Sequence, residues 1–181
     1  MAMKTGLEFH GRLIIETFDE STKTAAGKWE ADNTICINGL TDVAAAISYL
    51  GVQDIAADIG TTPVYITPIY GAVGNGDIVT TPPSLVDTAL VNEISRSTAS
   101  ASGYAPALGS NPGQVVWQFQ FPINNSGSNY TITEAGVFVQ ASETTGSGDL
   151  FDHAVFSPSA QWLTNQSMIL SLQLSLYPVA W

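Results

Sequence analysis

The stretch Met168–Tyr177 reads MILSLQLSLY, with Met168, Leu170, Leu172, Leu174 and Leu176 at every second position. Successive side chains of a strand point to opposite faces, so a strict period of two specifies a half-buried β-strand; on a helix the same residues would scatter around the axis. Val115–Phe121 (VVWQFQF) repeats the pattern, placing Val115, Trp117, Phe119 and Phe121 on one face and Val116, Gln118 and Gln120 on the other. Shorter alternations run over Gly136–Gln140 and Leu150–Phe156, and Tyr130–Thr133 begins another strand. His10–Phe18 and Trp29–Ile37 are β-prone runs around a polar loop, the pattern of a hairpin with a long tip. Pro68 demotes residues 63–70 to an edge or irregular strand. Gly74–Asp77 and Pro82-Pro83 are turn and loop signals, and the Ser/Ala/Gly-rich segment 97–114 reads as a long loop. Helical spacing occurs once: Val43, Ala44, Ile47 and Leu50 follow a capping Thr41, and Gly51 stops the run. The expected fold is mainly β: an antiparallel β-sandwich, jelly-roll-like, with one short helix near residues 40–50. Residues 1–181 form a single domain whose N-terminal hairpin, about residues 1–37, is available for assembly.

Charge excludes several function classes. Five Lys and Arg stand against sixteen Asp and Glu, a net charge of −11. Phosphate neutralisation needs clustered bases, and anionic lipid surfaces select the same sign, so neither nucleic acid nor membrane is an expected partner. The imbalance is uneven. Lys4, Arg12, Lys23 and Lys28 are matched by four acids in residues 1–28, whereas twelve acids and one base, Arg96, follow. An acidic body repels its own copies, so Lys4, Arg12, Lys23 and Lys28, together with the terminal Trp181, are the candidate assembly contacts. The absence of a secretory leader or of a long apolar run points to a soluble chain.

Residues able to carry chemistry are few. His10 and His153 lack metal-ligand spacing, and Asp149, Asp152 and His153 read as polar residues at a strand edge beside a loop. Cys36, between Ile35 and Ile37, reads as a small buried hydrophobe, and its solitude rules out an internal disulfide. No nucleophile elbow, P-loop or dinucleotide fingerprint occurs. The expectation is a protein that is not an enzyme and takes no cofactor or metal. Arg96 and Glu134 are each the sole charge in an apolar or small-residue stretch, and buried charges persist when paired. A structural ion pair between Arg96 and Glu134 is therefore expected.

Three segments carry a resemblance: Asp87–Arg96 (DTALVNEISR), Ile132–Phe138 (ITEAGVF) and Asp149–Pro158 (DLFDHAVFSP). In this order, after a proline loop, they resemble a module of tailed-bacteriophage virion proteins, similar to the N-terminal part of phage tail-collar fibre proteins. The likeness covers residues 80–158 well and residues 10–50 loosely. The Gly-x-Gly element that precedes the proline loop in such chains is altered here to Gly71-Ala72-Val73-Gly74-Asn75-Gly76.

The resemblance implies a non-enzymatic structural protein of a tailed-phage virion, assembled in the bacterial host cytoplasm. It would act as an oligomeric tail, baseplate or collar adaptor that attaches a fibre; no repetitive shaft is present in the sequence. Its partners would be other virion proteins and its own copies, a trimer being favoured. A capsid decoration (cement) protein stabilising the head is the alternative. A receptor- or carbohydrate-binding module is a third, with Tyr104, Tyr130 and Trp162 as the candidate stacking residues.

Overall fold

The computed structural model describes residues 5–36, 70–76, 82–105 and 113–180; the helix expected near residues 40–50 falls outside them. The described residues form eight strands: β1 (Thr5–Asp19), β2 (Thr24–Ile35), β3 (Tyr70–Gly74), β4 (Glu93–Ala105), β5 (Gly113–Phe121), β6 (Tyr130–Val139), β7 (Asp149–Trp162) and β8 (Gln166–Ala180). Among the described residues there is no helix.

The expected sandwich is corrected to a closed antiparallel barrel, in the order β1-β2-β7-β6-β3-β4-β5-β8 with β8 returning to β1. Two strands change neighbours along their length and so close the ring. In β2, Thr24–Asp32 pair with β1, whereas Asn33–Ile35 pair with β7. In β4, residues as far as Thr98 pair with β3, and Ala99–Ala105 pair with β5. Alternation fixes which side chains face inward but is silent on where a strand changes partner, so the sequence pattern fits a sandwich and a barrel equally.

Of the segment expected as a long loop, residues 97–105 form most of β4 and residues 113–114 the start of β5, while residues 106–112 lie outside the described residues. Ser, Ala and Gly have little strand preference of their own. Cross-strand pairing supplies it, with Ser97 Oγ donating to Gln120 O at 2.6 Å and Ser100 Oγ to Gln118 O at 3.0 Å. Gly71-Ala72-Val73-Gly74 is likewise strand, flanked by β4 and β6. The β1–β2 turn is organised by Asp19, whose Oδ1 accepts the amides of Ser21 (2.8 Å) and Thr22 (3.1 Å).

The alternating residues fill the barrel. Phe119 and Phe121 of β5, Met168, Leu170 and Leu172 of β8, and Leu13 and Ile15 of β1 are fully buried. Each such side chain contributes about 1.5–3 kcal/mol by leaving water. A second, smaller apolar layer lies outside the β3–β6–β7 wall, where Ala72, Phe138, Leu150 and Cys36 meet Leu90. Leu90 belongs to a non-strand strap, residues 82–92, laid across that wall. At Gly136 the strap comes so close that an added Cβ would sit 3.0 Å from Leu90 Cδ2 and 2.7 Å from Leu150 Cδ1.

Candidate functional site

The strap is held by a buried polar cluster built from three distant parts of the chain. β6 presents Glu134, β7 presents His153, and the strap brings Asp87 and the amides of Val91 and Asn92. Glu134 is fully buried in an otherwise apolar strand, a placement that costs several kcal/mol unless every lone pair finds a donor. It finds four. Oε1 accepts the amides of Asn92 (2.8 Å) and Gly76 (3.1 Å), and Oε2 accepts the amide of Val91 (3.0 Å) and His153 Nε2 (3.1 Å). His153 Nδ1 lies 2.8 Å from Asp87 Oδ2, which also accepts the Ser84 amide.

Both imidazole nitrogens thus face carboxylate oxygens, which can only accept, so His153 is a charged double donor. Burial pushes its pKa down, but the hydrogen bonds to Glu134 and Asp87 outweigh burial and leave it raised. Burial pushes Glu134 up, and the donors from His153, Asn92 and Val91 overcome that and leave it lowered. An imidazole with both nitrogens committed has no lone pair to serve as a general base. The array resembles an acid–base relay in composition and is a clamp in geometry.

A second knot holds the loop after β6. Arg96 grips Glu93 bidentately, Nε to Oε1 at 2.5 Å and Nη2 to Oε2 at 2.7 Å, with both side chains 4% exposed. Its Nη1 donates to the carbonyls of Ser142 (2.9 Å) and Ser147 (3.2 Å), and its guanidinium lies 4.8 Å from the Phe138 ring centroid. The expected Arg96–Glu134 pair is therefore corrected: both charges are buried and paired, with Glu93 and with His153. The reason is a bulge in β4, where Gly74 pairs with Glu93 and Val73 with Ser95. The extra residue places Glu93 and Arg96, three apart, on the same face.

The candidate assembly residues are spread over the hairpin. Arg12 meets Glu30 (3.2 Å) and Asp32 (3.5 Å), Lys28 meets Glu30 (2.9 Å), and Lys23 meets Glu20. These bases neutralise the hairpin's own acids. Lys4 and Trp181 lie outside the described residues. The hairpin is also no appendage: β1 pairs with β2 on one side and along fifteen residue pairs with β8 on the other. Of the candidate sugar platforms, Trp162 is a core residue, 5% exposed, with its Nε1 donating to Gln166 O and Tyr130 packed on its ring. The Tyr104 side chain is outside the described set.

Asp152 and His153, expected at a strand edge beside a loop, are both buried. Asp87 is an unexpected partner of His153. The available signal was a run of ionisable residues inside the apolar DLFDHAVF strand. Cys36 is buried as expected, and burial above all pushes its thiol up to about 12. Among the described residues no group of three His, Cys, Asp or Glu is placed to hold a metal ion. No family model, curated protein or solved structure matches the chain.

Proposed function

We propose that this chain is a non-enzymatic structural protein of a tailed-phage virion, an oligomeric barrel serving as a tail, baseplate or collar adaptor that attaches a fibre. One observation carries the reading. The three segments that resemble the tail-collar module supply Asp87, Glu134 and His153, one residue each to a single buried clamp. A motif that spends one ionisable residue from each of its segments on fastening a strap to a barrel wall is a motif of architecture, which suits a building block better than a catalyst. The partners in this reading are other virion proteins and further copies of the chain, with a trimer as the assembly tested.

Quantitative mass spectrometry of purified particles of the encoding phage tests it. The expected result is the chain in intact virions at a few to a few tens of copies, with sedimentation of the purified protein giving a trimer. Hundreds of copies per particle would move it to the head as a decoration protein. Absence from particles would overturn the reading.

A further inference from the structure

Within the barrel, on the side opposite the clamp, β7 bulges at Phe151: Val137 pairs with Asp152, and Phe138 with Leu150. The bulge turns Asp152 inward with Phe151, since directly paired residues share a face and Asp152 lies opposite Val137 and Ile35, both core residues. Asn33, opposite the core residue Ala154, points the same way. Its amide fills the space where Gly11 of β1 has no Cβ. Asn33 Nδ2 donates to Asp152 Oδ2, while Asn33 Oδ1 and Asp152 Oδ1 are both buried and, among the described residues, without a partner.

Those two orphaned oxygens belong to the two groups already joined by one hydrogen bond. An ionised carboxylate leaves Asn33 Oδ1 facing another acceptor, and it leaves a buried charge with a single donor. One proton on Asp152 Oδ1, donated to Asn33 Oδ1, satisfies both orphans at once in a cyclic carboxylic acid–amide pair. We infer that Asp152 keeps its proton in the folded barrel and closes this acid–amide pair with Asn33, making the β2–β7 seam a proton-gated latch.

The location gives the pair leverage. Asp152 sits opposite Ile35 in the β2–β7 register, next to Asn33 and Thr34, so the acid–amide pair bridges the two strands where β2 leaves β1 for β7. Among the described residues, the titratable neighbours do not supply a counter-charge. On β2, Cys36 carries a thiol pushed far up; on β7, His153 faces the clamp with Asp87; on β6, Glu134 faces the same way; on β1, Arg12 is committed to Glu30 and Asp32. Burial drives the Asp152 carboxyl well above the ordinary range, and the Asn33 hydrogen bond offsets only part of that.

Two measurements on the full chain test the latch. Infrared spectroscopy in deuterated buffer should show a protonated-carboxyl carbonyl band at neutral pH that is absent from Asp152→Asn. Hydrogen exchange of the Cys36 amide, which donates to Phe151 O at 3.0 Å beside the seam, reports opening. After correction for intrinsic exchange, its opening constant should rise about tenfold per pH unit from the ordinary carboxylate range toward neutrality, the slope for one proton lost on opening. In Asp152→Asn, an isostere of the protonated acid, that slope should vanish. A missing band in the wild type, or an unchanged slope in the variant, overturns the inference. Should Asp152→Asn not fold, the wild type still decides: a band together with the one-proton slope supports the latch, and a band without that slope overturns it.

Discussion

His153 Nε2 lies 3.1 Å from Glu134 Oε2, with the imidazole 1% exposed and the carboxylate fully buried. The contact joins β7 to β6 and, through the other lone pairs of Glu134, joins both strands to the strap. Removing the charge of Glu134 should therefore be felt well beyond one hydrogen bond. In Glu134→Gln one end of the side chain becomes a donor that must face either His153 or a backbone amide. Breaking a buried charge pair in this way costs about 3–5 kcal/mol. Chemical denaturation should show a clearly lowered midpoint; an unchanged midpoint would mean that the clamp does not hold the fold.

The clamp should also have a pH window. Glu134 is depressed in the folded state, so its contribution is present above its ordinary value of 4.5 and is lost as pH falls through the lower folded value. His153 is raised, so its contribution is fully present below its ordinary value of 6.5 and is lost as pH rises through the higher folded value. Exchange protection of the Val91 and Asn92 amides should peak between those two ordinary values and fall on either side. In His153→Gln the alkaline fall should disappear while the acid fall remains.

Inside the barrel, Gly71 marks a contact with no slack. A Cβ there would lie 2.5 Å from Phe119 Cγ and 2.6 Å from its Cδ2. Gly71→Ala should lower the thermal midpoint by an overpacking cost of about 1–3 kcal/mol. Adding Phe119→Leu should recover part of that loss, and a double-mutant cycle that shows simple additivity would place the strain elsewhere.

Deleting residues 1–28 should abolish cooperative unfolding rather than release a smaller folded body. The deletion removes β1 and with it the partner of both β2 and β8, including the buried Leu13 and Ile15. Circular dichroism through a thermal ramp checks this. A sharp transition in the truncated chain would show that the remaining strands can close without it.

The inward faces of β5 and β8 were legible in the sequence because Phe119, Phe121, Met168, Leu170 and Leu172 obey a period of two with no interruption. What stayed hidden lies at the bulges. A bulge in β4 brings Arg96 to Glu93, and another in β7 turns Asp152 inward beside Phe151. Each is one extra residue that shifts the phase of alternation, and its presence depends on the register of the neighbouring strand. That Glu134 and Arg96 need partners follows from their apolar surroundings; which partners they take follows only from the closed ring. The strap was obscure for a different reason, since its hold depends on backbone amides of Val91 and Asn92 that carry no side-chain signature.

The pairing of β1 with β8, from Thr5 opposite Ala180 to Asp19 opposite Gln166, sets an order of events during synthesis. β1 is translated before every other strand of the barrel, and one of its two neighbours is translated after all of them. Until β8 clears the ribosome, the hairpin of β1 and β2 must wait with one edge and the apolar face of Leu13 and Ile15 uncovered. Contacts of such long sequence separation form slowly, and uncovered edges of nascent chains invite association with other chains. Yield of folded protein in cells should therefore respond to elongation rate and chaperone supply more than to the stability of the finished barrel.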